Sequence, residues 1–318
     1  MIGAARMKYA TRINSFLRTG LSVKEAIFAI GKIDGIDYVD MNYPEHFKGF
    51  SIEEIGRILQ EAGLRLNAIN LRFRDEFLAG AFDNPSADIR SRAVGLCREA
   101  AGICKQLNGQ QCIIWLGFDG FDYSFQLDYP TAWKNLVSCF REVCQCTDCR
   151  ISVEYKPYEE RMFALLDSWG AVWKLMDEVS CSHFGVTLDF CHMLMKKENP
   201  AFAAALLLDA GKLTGIHVND GEGSTDDGMM VGSVHVWKTL ELFYYLMKYD
   251  YQDVIYFDTF PKREEAVREC ELNYRMCRNF ERIIEKTGIE KIGRIISEND
   301  GNAAVELMAR ILDEGAGE

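Results

Sequence analysis

The sequence predicts an α/β fold, a single (β/α)8 barrel, from three observations. Short apolar runs of strand length alternate eight times with longer amphipathic runs of helix length, without a break in composition. Four of the later apolar runs close on a carboxylate or an imidazole, at Glu154, Asp189, His217 and Asp258, separated by 35, 28 and 41 residues. Each interval holds a loop and a covering helix, the crossover that parallel strands require. Finally, 318 residues with 48% hydrophobic content can fill one barrel core, an architecture of about 250 residues or more. Residues 1–318 therefore read as one domain, with a tail over 1–7 and a C-terminal helical extension over 288–318.

In order, Lys8 to Phe16 reads as the first strand, and Ser22 with Glu25 opens a helix through a capping box. Ile36 to Tyr43 is a second strand, and Ser51 with Glu54 repeats the capping signal. Arg65 to Phe73 is the third strand; after a polar loop, Asp88 to Leu107 carries helical periodicity. Cys112 to Trp115 is the fourth strand, followed by Gly117–Gln126, too polar and glycine-rich to extend it. A helix follows over Tyr129–Cys146, then the fifth strand, Ile151 to Pro157. The remaining strands are Gly185–Asp189, Gly215–Asp220 and Val254–Asp258, with helices over Ala164–Val179, Pro200–Lys212 and Val236–Lys248. A long helix from Arg263 to Lys286 and a shorter one complete the chain.

Charge and cysteine usage bound the function. A net charge of −12 argues against nucleic acid and against an anionic membrane surface. No apolar stretch reaches the roughly 20 residues that span a bilayer, and Met1–Ala10 has no apolar core of a signal peptide. Eleven scattered cysteines, an odd number, fit reduced thiols in the cytoplasm.

The chemistry concentrates at strand ends. Barrel enzymes keep their sites at the C-terminal face of the strands, where Glu154, Asp189, His217 and Asp258 would converge. Three carboxylates with one imidazole suit a hard divalent cation, Mn²⁺ or Mg²⁺; the plainer reading of each residue is a loop-edge polar group. Glu154 and Lys156 point the same way along an extended strand. Cys144-Gln-Cys-Thr-Asp-Cys149 invites a zinc reading, but no second cysteine pair stands at zinc-finger spacing, and the run sits where a helix should end. Gly221–Gly228 has glycines suited to a phosphate cradle, yet its three acids would repel phosphate. His46, His183 and His235 read as structural or surface residues. Met229–Val231 reads as core or, if exposed, as an edge that meets a ligand or partner chain.

Val153-Glu-Tyr-Lys-Pro-Tyr-Glu-Glu160, Asp189-Phe-Cys-His192 and His217-Val-Asn-Asp220 resemble the sugar isomerases and epimerases of the xylose isomerase-like barrel superfamily, L-rhamnose isomerases above all. The resemblance implies ligation of a metal by Glu154, Asp189, His217 and Asp258, with Lys156 and His192 touching substrate oxygens. Those isomerases hold a second metal with the D-x-x-H histidine and two aspartates two residues apart. Here Thr225 stands at the first of those positions before Asp226-Asp227, so one metal per chain is expected. Trp115-Leu-Gly-Phe-Asp-Gly-Phe-Asp-Tyr-Ser-Phe-Gln126 is similar to a motif of smaller bacterial members, among them the catalytic alpha subunits of C-glycoside deglycosidases. Within that segment Asp119, Asp122 and Gln126 are the candidate partners of sugar hydroxyls, and Trp115 and Phe118 a stacking surface; Asp220, at the end of the seventh strand, is a further candidate substrate contact.

Such a metal polarises a sugar carbonyl and stabilises the enolate left when the adjacent C–H loses its proton. Glu160 and His192 are the candidate bases, and Lys156 would steady the developing oxyanion. Return of the proton to a neighbouring carbon gives isomerisation or epimerisation. With the carbonyl at C3 of a glycoside, β-elimination instead expels the aglycone. The resemblance favours elimination first, with a small beta subunit or homo-oligomer as possible partner, and sugar isomerase or epimerase as the alternative. A barrel endonuclease for abasic DNA would need three metals and a basic face, which the charge disfavours, and a non-catalytic binding barrel would not keep all four ligands.

Overall fold

The computed structural model describes residues 7–316, so residues 1–6 of the expected tail lie outside the described residues. The chain runs β1 (Lys8–Arg12), α1 (Ile13–Leu17), α2 (Val23–Ile30), β2 (Tyr38–Tyr43), α3 (Ile52–Glu61), β3 (Arg65–Arg72), α4 (Ala87–Gln106) and β4 (Gln111–Trp115). It continues through β5 (Gly120–Phe121), α5 (Tyr129–Cys146), β6 (Arg150–Glu154), β7 (Phe163–Ala164), α6 (Trp169–Val179), β8 (Phe184–Asp189), α7 (Phe190–Met195) and α8 (Pro200–Asp209). Last come β9 (Leu213–Val218), α9 (Val236–Lys248), β10 (Val254–Phe257), α10 (Ala266–Thr287), α11 (Ile289–Ser297) and α12 (Gly301–Ala316). Eight strands close a parallel barrel in the order β1-β10-β9-β8-β6-β4-β3-β2, the expected architecture.

Local signals account for most boundaries. The Ser22/Glu25 and Ser51/Glu54 capping boxes both form and open α2 and α3, each satisfying two otherwise unpaired backbone donors. Asp128 caps α5 by accepting from Thr131 N at 2.8 Å, with Pro130 pre-set for the first turn. Buried apolar side chains on the helices pack against alternating apolar positions of the strands in one continuous core. The barrel interior is polar low down, where Thr214 Oγ1 donates to Ser152 Oγ at 2.8 Å and Ser152 meets Thr187 Oγ1 at 2.6 Å. Gly215 is what leaves room for this layer, because a Cβ there would overlap the Thr187 side chain.

Several expectations needed correction; the expected fifth strand, β6, ends at Glu154, so Lys156 lies just beyond it. The first strand ends at Arg12, where the chain turns straight into α1. The helix expected from Ala164 starts at Trp169, because Phe163–Ala164 pairs antiparallel with Gly120–Phe121 in a small accessory sheet. A short helix, α7, follows β8 directly, capped when Asp189 accepts from His192 N at 2.9 Å. The C-terminal extension holds two helices rather than one, broken near Asn299, which adopts the left-handed φ of 50°.

Candidate metal centre

The ends of β6, β8, β9 and β10 deliver Glu154, Asp189, His217 and the following Asp258 to one point, because parallel strands in register finish together. Trp115 pairs with Glu154 and then Thr187, while Asp189 pairs with His217, across β4, β6, β8 and β9. One ligand atom from each of Glu154, Asp189, His217 and Asp258 lies within 4.8 Å of all the others. Glu154, Asp189 and His217 are buried, and Asp258 is part-exposed beside Arg12, whose Nη1 is 3.5 Å away.

Hydrogen bonds aim these carboxylates. Asn219 Nδ2 donates to Asp189 Oδ2 at 3.0 Å and to Asp258 O at 3.1 Å, while its Oδ1 accepts from Cys191 N at 2.8 Å. One amide thus ties β8, β9 and β10 together at the mouth. Behind the cluster, Asp40 accepts from Asn67 Nδ2 at 2.7 Å and Asn70 Nδ2 at 3.2 Å.

The charges are unbalanced without a cation. Burial alone would raise Glu154, but His217 and then His192 hold it down at about 2. Burial opposes charge on His217, yet Glu154, Asp258 and Asp189 lift it to about 9; on His192 the same burial is overcome by Asp189 and Asp226, reaching about 10. Burial and the neighbouring carboxylates raise Asp189 to about 7 against the pull of His192. Protons here do what a metal ion would do. Among the described residues neither buried ring nitrogen of His217 has a hydrogen-bond partner, a costly state that coordination would relieve. The residues therefore fit a divalent cation.

A second group, Asp189, His192 and Asp226, also offers three ligand atoms within 4.8 Å. There Asp226 Oδ2 lies 3.1 Å from Lys156 Nζ and 3.2 Å from His192 Nε2, while Asp226 Oδ1 is buried with no hydrogen-bond partner among the described residues. Thr225 turns away, its Oγ1 donating to Asp227 Oδ1 at 2.6 Å.

Lys156, Glu160, His192 and Trp115 all line the mouth with Glu154, His217 and Asp258. His192 Nδ1 lies 2.8 Å from Tyr155 O, so that nitrogen carries the proton and donates. Lys156 pairs with Glu159 and Asp226, and its Nζ stands 5.8 Å from the Trp115 ring, within cation–π reach.

The other expected sugar partners sit elsewhere. Asp119 is buried and accepts from the backbone N–H groups of Ala81, Phe82 and Asp83 at 2.7–2.8 Å, so it organises the loop after β3. Asp122 is held by Arg161 Nη1 at 2.8 Å, and Gln126 Oε1 accepts from Asp122 N and Tyr123 N at 2.9 Å. Asp220 is buried and accepts from Gly221, Val234 and His235 N and from His235 Nδ1, pinning the loop after β9. None of these four lines the mouth. Phe118 does not either, and Met229 is exposed on a two-residue bridge to Asp220. Arg12, Arg72, Arg74 and Asn70 do line it and were not assigned from the sequence, although Arg12 and Arg72 end strands as the four ligands do.

A family profile described as xylose isomerase-like TIM barrel matches residues 27–276. The xylose isomerase of Thermus thermophilus is 27% identical over 241 residues, covering 72% of this chain; the chain spans 62% of that protein's length. Among solved structures, a D-tagatose 3-epimerase-like protein superposes with a TM-score of 0.73 at 16% identity, covering 89% of this chain and 100% of the other. The 3-keto-D-glucoside 4-epimerase of E. coli superposes with a TM-score of 0.66 at 17% identity, covering 86% and 100%. The closed parallel barrel and the family profile agree, and the chain belongs to the xylose isomerase-like TIM barrel family.

Proposed function

We propose that this protein is a divalent-metal-dependent sugar isomerase or epimerase whose reaction moves a proton at a carbon beside a carbonyl. The observation that carries the reading is the convergence of Glu154, Asp189, His217 and Asp258, with both His217 nitrogens unpartnered among the described residues, next to the Lys156 ammonium. Sugar isomerases and epimerases among its relatives support this over the elimination preferred from the sequence. Bound by those four residues, Mn²⁺ or Mg²⁺ would supply Lewis acidity to a sugar carbonyl and its neighbouring oxygen.

The chain's own groups do the rest. Glu160 is exposed at the mouth and is the better-placed base, because His192 already engages Tyr155 O and Asp226. His192 then acts as a positioning residue for Asp226 and Lys156. Lys156, kept charged by Asp226 and Glu159 in spite of burial, faces negative charge developing on a substrate oxygen, where a fixed donor contributes most in the transition state. Arg12, Arg72, Arg74 and Asn70 present N–H donors to hydroxyls, and Trp115 a flat apolar face.

A second reading keeps the same first step. The structural likeness to an enzyme named for a 3-keto-glucoside supports a substrate with its carbonyl at C3, from which loss of the C2 proton could instead expel the C1 substituent. A small beta subunit or a second copy would then complete an aglycone pocket. Incubation with Mn²⁺ and, separately, free aldoses and ketoses, a 3-oxo-O-glycoside and a 3-oxo-C-glycoside separates the readings by chromatography. Interconversion of sugars or of C3-oxo epimers without aglycone release supports the first; aglycone release supports the second. No turnover of any of them with Mn²⁺ or Mg²⁺ would refute both.

A further inference from the structure

At the end of the barrel opposite the mouth, Cys144, Cys181 and His183 each offer a ligand atom within 4.8 Å of the other two. Cys144 lies in the last turn of α5, Cys181 in the turn between α6 and β8, and His183 just before β8. Six residues of extended chain, roughly 20 Å, separate His183 from Asp189, so this cluster is independent of the mouth. Neither cysteine neighbour of Cys144 in its own motif, Cys146 or Cys149, belongs to it. The tertiary fold supplies the partners that zinc-finger spacing lacked.

The backbone around the cluster is held. Ser180 caps α6 in the left-handed conformation, with φ 54°. Phe184 N donates to Cys181 O at 3.3 Å, and Ile151 N donates to His183 O at 2.8 Å. His183 Nε2 lies 3.2 Å from Cys144 O; donating there, it leaves the lone pair on Nδ1, and a backbone carbonyl of this kind fixes the tautomer of many metal-bound imidazoles. Cys181 Sγ is 3.3 Å from Nδ1 and 3.5 Å from Nε2. Zinc bonds of about 2.3 Å to sulfur and 2.0 Å to nitrogen, at a tetrahedral angle, would set those atoms about 3.5 Å apart.

We propose that Cys144, Cys181 and His183 form a second, soft-metal site that takes Zn²⁺, with its fourth position open to water. Two thiolates and an imidazole select zinc over the hard cations suited to the mouth. Cys181 and His183 are half-buried, which leaves an entry path, while Cys144 is buried. Burial and the adjacent Cys181 thiol push the Cys144 thiol up. Binding releases two thiol protons to solvent and needs no oxidant. Its effect is structural: the ion ties the end of α5 to the start of β8, and so steadies the strand that carries Asp189.

Cobalt tests the site directly, since thiolate ligands give Co²⁺ an intense near-ultraviolet charge-transfer band that carboxylates and imidazole do not. The metal-free full-length chain, kept reduced, is titrated with Co²⁺ alone. A thiolate band that grows to saturation, is bleached by Zn²⁺, survives Glu154→Gln and is lost in Cys181→Ser is the expected result. His183→Asn provides the second variant and should weaken cobalt binding at this band by about tenfold or more. Far-ultraviolet circular dichroism and Mn²⁺ content of the mouth confirm that both variants fold. A wild-type chain without the band, or an undiminished band in folded Cys181→Ser, overturns the proposal.

Discussion

His217 Nδ1 stands 3.3 Å from Glu154 Oε1, yet outside hydrogen-bond geometry, and neither nitrogen of this buried imidazole has a hydrogen-bond partner among the described residues. Proximity without hydrogen-bond geometry is what two ligands of one ion look like before the ion is drawn between them. Glu154→Gln and His217→Ala should each lose Mn²⁺, expected at about one per chain in the wild type, as measured by elemental analysis. Wild-type metal content in both variants would refute the assignment of these ligands.

Chelation should lower thermal stability, because a ligand that binds only the folded chain stabilises it by mass action, about 2.7 kcal/mol at a hundredfold excess over its dissociation constant. Differential scanning calorimetry with and without Mn²⁺ reads this as a rise in Tm that disappears in His217→Ala.

The metal-free protein should also respond to pH in a defined direction. The folded chain holds His217 near 9 and His192 near 10, above the ordinary value of about 6.5. Groups raised in this way contribute stability that is complete below about 6.5 and is lost as pH rises through 9 to 10. Metal binding displaces those protons, so Mn²⁺ affinity should climb over the same interval. Isothermal titration at pH 7 and pH 8.5 provides the check; affinity that falls between them contradicts the expectation.

Lys156→Met should leave the metal content intact and reduce kcat by about 100-fold. It removes a charge that matters most once the substrate oxygen becomes negative. A change in KM alone would make Lys156 a ground-state anchor.

Asp119→Ala should act on stability rather than on substrate. The carboxylate accepts three buried backbone N–H groups, and each donor left unsatisfied costs about 1–3 kcal/mol. Urea denaturation should therefore show a loss of about 3 kcal/mol or more, with KM unchanged in whatever protein remains folded. A KM effect without destabilisation would restore the sugar-binding role expected from the sequence.

The sequence by itself determined the barrel and the convergence of Glu154, Asp189, His217 and Asp258, for a common physical reason. Parallel strands need covering helices, so the alternation of periods is written into the chain, and strand ends meet at one mouth whatever the details between them. Capping serines at positions 22 and 51 were legible because the capping box is local. What the alternation could not reveal was the direction of loop side chains. Asp119, Asp122, Gln126 and Asp220 have the composition of a sugar subsite, but the tertiary fold spends all four on backbone groups, Arg161 or His235. Asp226 reaches His192 and Lys156 only because the loop after β9 folds back across the mouth. Cys144, Cys181 and His183 lie on separate segments, at spacings no local motif encodes, and only packing α5 beside β8 brings them together. Periodicity and strand ends are properties of a segment, whereas a side chain's partner depends on which distant backbone arrives beside it.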